Sequence, residues 1–353
     1  MQRQVRDEAN RIMDGVVARK CKVCVTGAGG YIASWLVKNL LMTGYSVNAT
    51  FRDPGNDSKT RHILCLPGAK ERLRLFKADL RQEGSFHAAV EGCEYVFHLA
   101  TPMDFAIEAQ TQTNVIDAEV NGTLDILRTC SQAKSVRRVI YTSSITAASP
   151  LNDDGEFRDC LDESCWTPID IMRREKPIFW MYYVAKTLAE QAALQYGSED
   201  HGIEVVTIAP AIVAGPFLTP TLPASIEQAL PFITGNAEHF EWLRELHDIM
   251  GSILLVHTED ACNAHIFLME HPSARGRYIC SSPPLTLREM EDFCAKRYPQ
   301  FSLPLKFHIK DNVLNGVPFP SRKLLDIGFT YQYELAEILD DSIEFARKIG
   351  ALP

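Results

Sequence analysis

The sequence lacks several features that would point to a membrane, fibrous or nucleic-acid-binding protein. Its 353 residues contain no run of 18 or more apolar residues, no internal repeat and no low-complexity tract, so no transmembrane helix is predicted. Basic residues are not in excess: 36 Lys and Arg stand against 45 Asp and Glu, a net charge of −9, which argues against a nucleic-acid partner. Residues 1–20 are dense in charge and lack the apolar core of a secretory signal, so we expect an N-terminal extension.

The sequence also gives no metal-binding pattern. Its histidines form no H-E-x-x-H motif, and no second pair stands near the C-x-x-C of Cys21 and Cys24, so no metal site is predicted. Most of the ten cysteines lie inside apolar runs, as buried thiols do. We therefore expect reduced thiols and a cytoplasmic location. Cys160 and Cys165, in a predicted surface loop, remain open as a redox-sensitive pair.

Short β-rich runs alternate with helical patterns through the first two thirds of the chain. This alternation predicts βαβ units and an α/β fold with a doubly wound parallel sheet, which binds its ligands at the carboxyl ends of the strands. We assign residues 21–216 to a dinucleotide-binding domain and 217–353 to a smaller, mixed substrate-binding portion, of which a segment near 253–270 is expected to return to the main sheet. Strands are predicted at 22–26, 46–52, 74–80, 94–101, 137–144 and 203–210.

A glycine-rich turn between the first strand and the first helix predicts a dinucleotide site. Glycines let backbone N–H groups approach a pyrophosphate, and the helix N-terminus adds partial positive charge. At the end of the second strand, Arg52 takes the position where NAD enzymes carry an acidic residue, and Lys59 follows, which favours NADPH over NADH. The alternative is that Asp53 binds the ribose and Arg52 is only a solvated charge. The predicted cofactor-binding residues are Thr26, Gly27, Gly29, Gly30, Tyr31, Ile32, Arg52, Lys59, Asp79, Leu80, Leu99, Ala100, Thr101, Thr142, Tyr182 and Lys186.

A serine, a tyrosine and a lysine form the candidate catalytic group. Tyr182 and Lys186 are four residues apart and share one face of a predicted helix, and Ser144 ends the fifth predicted strand. A ketone that accepts a hydride needs a proton donor, and a nearby Lys⁺ lowers the pKa of a tyrosine toward working pH. Ser144 would polarise the carbonyl by a hydrogen bond. Tyr183 is an adjacent competitor whose spacing to Lys186 fits less well, so we expect it to line the pocket.

Together, T-G-x-x-G-x-x-A, Y-T-S-S and Y-x-x-x-K resemble the extended short-chain dehydrogenase/reductase family. Segments such as VTGAGGYIASWLVKNLL, FRDPGN, FHLATPMDF and WMYYVAKTLAE are similar to its plant dihydroflavonol reductase branch. The resemblance implies an NADPH-bound Rossmann domain with Ser144, Tyr182 and Lys186 as catalytic residues, Lys186 also binding the nicotinamide ribose. It further implies 2′-phosphate contacts from Arg52 and Lys59, and a nicotinamide contact from Pro210.

Departures from the branch patterns bear on the substrate. Dihydroflavonol 4-reductases carry T-S-S-A-G-T-V-N, whereas Ser149 replaces that final Asn here, and WMYYVAK differs from the N-W-Y-C-Y-x-K of cinnamoyl-CoA reductases. The run SIEQALPFITGNAEHFEWL is more similar to anthocyanidin reductases. We expect reduction of the C4 ketone of a flavanone or dihydroflavonol, a small aromatic substrate, with anthocyanidin reduction as the alternative. The predicted substrate-binding residues are Met103, Phe105, Ser144, Ser149, Tyr182, Tyr183, Ser225 and Gln228.

Two other classes of protein were weighed. A non-catalytic, cofactor-binding member of the fold would usually have lost the tyrosine or the lysine, and this chain keeps both. A nucleotide-sugar epimerase or dehydratase would carry S-S-x-x-V-Y-G after the fifth strand, and the run ITAAS lacks that tyrosine and glycine. The sequence leaves the oligomeric state open and is compatible with a monomer.

Overall fold

A parallel sheet of seven strands forms the centre of the molecule. The computed structural model describes residues 21–102, 112–301, 319 and 321–353. The main sheet has the order β3-β2-β1-β4-β5-β6-β9, and every neighbouring pair is parallel. The strands are β1 (Lys22–Thr26), β2 (Ser46–Phe51), β3 (Leu73–Lys77), β4 (Tyr95–His98), β5 (Arg138–Thr142), β6 (Glu204–Pro210), β7 (Ile212–Ala214), β8 (Leu255–His257) and β9 (Gly276–Cys280).

Helices lie against the sheet because its central strands are apolar on both faces. In β1 and β5 every residue after the first is fully or almost fully buried, the pattern of parallel strands with helices on either side. The helices are α1 (Tyr31–Met42), α2 (Asp57–Leu64), α3 (Ala69–Arg72), α4 (His87–Val90), α5 (Gln112–Ala133), α6 (Ile169–Glu175), α7 (Trp180–Ser198), α8 (Ala224–Ala229), α9 (Pro231–Thr234), α10 (Ala237–Met250), α11 (Thr258–Glu270), α12 (Leu287–Arg297), α13 (Lys323–Asp326) and α14 (Leu335–Lys348).

The chain leaves the main sheet directly after β6. The Ala211 N–H donates to Cys280 of β9, but the next N–H, that of Ile212, donates to the carbonyl of Leu254. This exchange of partner starts a separate two-stranded sheet of β7 and β8. The expectation that the strand near 253–270 joins the main sheet is therefore wrong for β8. The helix that follows it, α11, does return, and packs against α1 and β5.

The predicted fold class is confirmed. The strand order reverses between β3-β2-β1 and β4-β5-β6, as in a doubly wound sheet, so the ends of β1 and β4 flank the crevice where such folds bind ligands. The added strand β9 comes from the C-terminal part of the chain. Among the described helices, none is long and apolar enough to cross a membrane.

Candidate active site

The turn between β1 and α1 has the geometry of an anion site. Gly27 has a φ of +65°, and a Cβ there would lie 2.9 Å from the Cα of Ala100, so glycine is required on two counts. Gly30 caps α1 without a side-chain hydrogen bond, and the first turn of the helix holds no acidic residue. The first N–H groups of α1 are thus open to a ligand, and a diphosphate fits this donor set.

Thr26 shapes the loop on the other side of the crevice. Its Oγ1 accepts hydrogen bonds from the N–H groups of Leu99 and Ala100, both at 3.0 Å, and lies 3.0 Å from Nδ1 of His98. The loop that follows β4 is therefore tied to the end of β1. Leu99, Ala100 and Thr101 are thereby brought beside the glycine-rich turn, as the sequence predicts.

The end of β2 presents two cationic side chains. Arg52 follows the last residue of β2, and Lys59 lies in the first turn of α2; both are exposed. The Lys59 backbone lies close to Gly29, since a Cβ on that glycine would be 3.3 Å from the Lys59 carbonyl oxygen. The carboxylate of Asp53 accepts the Gly55 N–H at 3.0 Å within the loop.

Five further predicted cofactor residues are bonded or packed within the protein. The Tyr31 hydroxyl bonds to Thr258 and lies 3.5 Å from the Gly215 carbonyl, which links α1 to the C-terminal portion. Asp79, half-buried after β3, accepts the Arg81 N–H at 3.0 Å. Leu80 and Ile32 are half-buried, and Pro210 closes β6 in register with Cys280.

Lys186 is the best-anchored member of the catalytic group. Its side chain is almost fully buried, and its ammonium nitrogen lies 2.7 Å from Thr101 Oγ1, 2.7 Å from Glu119 Oε1 and 3.2 Å from the Thr142 carbonyl. These contacts bring α7, the loop after β4, α5 and the end of β5 to one point. Thr101, Thr142 and Lys186, all predicted to bind the cofactor, therefore lie together; their role in cofactor binding stays a prediction.

Ser144 and Tyr182 are close in the chain to the residues that meet at that point. Ser144 begins a short 3₁₀ helix, Ile145–Ala147, and its Oγ accepts the Thr146 N–H at 3.2 Å. This 3₁₀ helix packs against α7. Tyr182 is half-buried, one helical turn before Lys186. Ser144 thus follows Thr142, whose carbonyl accepts from Lys186, by two residues, and Tyr182 precedes Lys186 by one turn on α7.

Two buried residues near Lys186, Glu119 and His98, were not identified from the sequence. Glu119, on α5, is fully buried and also accepts a hydrogen bond from Tyr141 at 3.0 Å. Burial, followed by the charge of Glu119, holds the pKa of Tyr141 well above its usual range. Burial and the nearby Lys186 lower the pKa of His98 to about 3. The sequence signal for Glu119 was its spacing: it lies four residues from both Val115 and Thr123, on the buried face of α5.

The predicted substrate-binding residues lie on several elements of the fold. Ser149 is fully buried and accepts the Leu151 N–H at 3.1 Å, while Ser225 and Gln228 are half-buried on α8. Tyr183 is only 2 % exposed and belongs to the apolar core; burial raises the pKa of its phenol. Met103 and Phe105 lie outside the described residues.

Cys160 and Cys165 are both free thiols. The Cys165 Sγ donates to the Cys160 carbonyl at 3.6 Å, and burial raises the pKa of the Cys165 thiol. None of the ten cysteines, all of which lie in the described residues, forms a disulfide. A redox role for Cys160 and Cys165 stays a prediction.

Comparison with known proteins gives the class of the molecule. Residues 23–279 match the NAD dependent epimerase/dehydratase family. The chain is 47 % identical to a putative anthocyanidin reductase of Ginkgo biloba, over 94 % of this chain and 95 % of that protein. It is 45 % identical to a dihydroflavonol 4-reductase of Zea mays (95 % and 91 %) and 44 % identical to a bifunctional dihydroflavonol 4-reductase/flavanone 4-reductase of Malus domestica (94 % and 92 %).

A solved structure agrees with these relatives. Vestitone reductase from alfalfa superposes with a TM-score of 0.79 at 38 % identity, over 94 % of this chain and all of that one. The chain belongs to the NAD dependent epimerase/dehydratase family. Within that family it is a reductase of the group that contains dihydroflavonol 4-reductases and anthocyanidin reductases. The predicted family and the oxidoreductase class are confirmed at this level.

Proposed function

We propose that this reductase converts the C4 ketone of a flavanone or dihydroflavonol to the 4-alcohol. The observation that carries the proposal is the bond of Lys186 to the Thr142 carbonyl at the carboxyl end of β5 and to Thr101. It places the lysine of the Y-x-x-x-K pattern two residues from Ser144 in the chain and beside the loop that contacts the glycine-rich turn. NADPH, when bound, supplies the hydride. The names of the relatives from Zea mays and Malus domestica support a 4-keto flavonoid as the substrate class.

The chain's own groups divide the remaining chemistry. Ser144 already accepts one hydrogen bond, from the Thr146 N–H, so its own O–H is a donor for the substrate carbonyl, which it polarises. Tyr182 gives its proton to the oxygen on which negative charge develops. Lys186, buried and cationic, favours the phenolate that remains and offers N–H groups to the ribose.

The residues that select NADPH in this proposal are Arg52 and Lys59. Both are exposed at the end of β2, next to the turn that follows β1, and guanidinium and ammonium groups suit a 2′-phosphate. Asp53 is engaged with Gly55, which disfavours the alternative in which it binds the ribose.

We also propose that the chain has the cofactor-binding and substrate-binding parts that the sequence predicts. Residues 21–216 hold the cofactor and most of 217–353 form the substrate side, to which Ser225 and Gln228 belong. Ten cysteines without a disulfide are typical of a reducing compartment, so the proposed location is the cytoplasm.

The direct test is incubation of the purified protein with NADPH and the flavanone naringenin, with products identified by mass and retention time. A 4-hydroxy product with matching NADPH consumption is the expected result. Anthocyanidin reduction to a flavan-3-ol is the second candidate, favoured by the 47 % identity to the Ginkgo biloba protein. Turnover of cyanidin but not of naringenin would replace the first proposal by the second.

Two neighbouring tyrosines provide a matched pair of variants for the proton donor. Tyr182→Phe should lower turnover at least 100-fold, the scale of general acid catalysis, with NADPH affinity changed less than threefold. Tyr183→Phe removes the same atom one residue further on, from a side chain in the apolar core, and should keep most of the activity. Equal losses in both variants would show that Tyr182 is not the acid.

A further inference from the structure

A buried carboxylate lies directly behind the catalytic lysine. Glu119 and Lys186 form an ion pair at 2.7 Å in which neither side chain has appreciable exposure. Their partners are Thr101 after β4 and Tyr141 and Thr142 on β5, so the pair joins α5 and α7 to two strand ends. Burial of this ion pair costs the desolvation of both the carboxylate and the ammonium group. The ammonium group is that of Lys186, the cation that the proposed chemistry needs beside Tyr182.

The hydrogen bonds of the Lys186 ammonium group show how Glu119 can hold it in position. An ammonium group has three N–H donors, and here they point at Glu119, Thr101 and the Thr142 carbonyl. Of these three acceptors only Glu119 carries a charge, so its bond is the strongest and the most resistant to exchange. A ribose hydroxyl that approaches Lys186 would therefore displace a neutral acceptor and leave the contact with Glu119 in place.

The same contact acts on the charge at Tyr182. The unit positive charge of Lys186 favours ionisation of the phenol one turn away, and the negative charge of Glu119 opposes that effect. The other titratable groups that face the cluster are His98 at the end of β4, Tyr141 on β5, and Tyr183 and Glu190 on α7. Burial keeps His98 neutral and Tyr141 protonated near pH 7, and Glu190 is neutralised by its own ion pair with Arg277.

We infer that Glu119 is a positioning residue for the reduction: it fixes the Lys186 ammonium group and compensates its charge, and so sets the pH at which Tyr182 loses its proton. The inference rests on the proposed role of Tyr182 as the proton donor. It does not depend on which flavonoid is reduced.

The isosteric substitution Glu119→Gln isolates the charge. One amide oxygen can still accept from Lys186 and Tyr141, and the amide nitrogen takes the place of Oε2, which accepts no hydrogen bond from any described residue. Without the carboxylate, the lysine charge is uncompensated and the phenolate is favoured. The pH midpoint of Tyr182 should fall by about one unit or more, and the alkaline limb of kcat should move down with it.

The readout is the titration of Tyr182 itself. The full chain, saturated with NADP⁺ and labelled with ¹³C at the tyrosine Cζ, gives eleven ring signals, of which Tyr182 is assigned by its loss in Tyr182→Phe. Since no substrate is present, this titration reports on Glu119 even if naringenin is not reduced. If the proposed function fails, no product forms, but the Tyr182 midpoint still shifts in Glu119→Gln as predicted.

Two further variants separate charge from packing. Glu119→Asp keeps the charge but shortens the side chain, so it should lower kcat with little change in the substrate KM and leave the Tyr182 midpoint near the wild-type value. Glu190→Gln removes another fully buried, ion-paired glutamate that bonds to Ser143 of the same strand end, and should leave the midpoint unchanged. A midpoint in Glu119→Gln that is unchanged or higher than in wild type, or one that shifts equally in Glu190→Gln, would overturn the inference.

Discussion

Two buried histidines are expected to make the fold sensitive to mild acid. Nδ1 of His265 lies 2.6 Å from the Ala261 carbonyl and therefore carries the proton, which leaves Nε2 to accept from Thr142 at 2.9 Å. In His98, Nδ1 faces Thr26 Oγ1, which already accepts two N–H bonds and so donates its hydrogen to the ring. Both rings are thus neutral, with one nitrogen as an acceptor.

The size of the effect follows from the pKa values. Burial and Lys186 lower the pKa of His98 to about 3, and burial lowers the pKa of His265 to about 4, against about 6.5 in an unfolded chain. Their stabilising contribution is complete above pH 6.5. Below it, the unfolded state binds protons that the folded state does not, so each histidine costs about 1.4 kcal/mol per pH unit. At pH 4.5 the pair costs about 5 kcal/mol, a large part of a typical unfolding free energy of about 5–15 kcal/mol.

The assay is urea unfolding at pH 7, 6 and 5 of wild type and of His98→Gln. The amide can accept from Thr26 and donate to Thr123 without titrating, so the variant should lose stability less steeply with acid, by about 1.4 kcal/mol per pH unit. His201→Gln is the control, because His201 is a partly exposed residue paired with Glu199 near the surface, and its slope should match wild type. Equal slopes in wild type and His98→Gln below pH 6.5 would refute the assignment of a buried, neutral His98.

Three further substitutions test separate parts of the structure. Arg277→Met leaves the fully buried Glu190 without its cation and should cost about 3–5 kcal/mol in urea unfolding, partly recovered in a double variant with Glu190→Gln; a loss under about 1 kcal/mol would contradict this. Arg52→Glu should raise the Kd of NADPH at least tenfold and that of NADH less than threefold in fluorescence titrations, whereas equal weakening would exclude a 2′-phosphate contact. Gly27→Ala places a methyl group 2.9 Å from the Cα of Ala100 at a φ of +65° and should lower both Tm and NADPH affinity; an unchanged Tm would speak against that strain.

The parts of the fold that the sequence predicted correctly carry local signals. The first six strands are apolar runs, and the predicted ends lie within a few residues of the observed ones; 203–210 became Glu204–Pro210. The glycine-rich turn was predicted for the same reason, since its φ values and close approaches demand particular residues at fixed spacing. Periodicity and turn chemistry are properties of a few consecutive residues, and these are visible in one sequence.

The parts that it did not predict depend on distant partners. The strands β7 and β8 have three residues each, too short for a periodic pattern, and their pairing depends on the point at which Ile212 changes its hydrogen-bond partner. Glu119 and Lys186 are 67 positions apart, and Glu190 and Arg277 are 87 apart. A glutamate in an apolar stripe signals a buried partner, but the identity of that partner follows only from the packing of α5 on α7.

The histidines that govern acid stability also support the site. His98 is bonded to Thr26, which holds the loop from Leu99 to Thr101, and His265 is bonded to Thr142, whose carbonyl receives Lys186. Protonation of either ring would turn an acceptor nitrogen into a donor and break a threonine hydrogen bond at the carboxyl edge of the sheet. The loop held by Thr26 shapes the cofactor crevice, and the strand end at Thr142 leads into Ser144. Cofactor binding and turnover should therefore decline at acid pH together with stability. The acid limb of activity is therefore expected to follow the unfolding free energy, whereas the alkaline limb follows Tyr182, so the two limbs should respond to different substitutions.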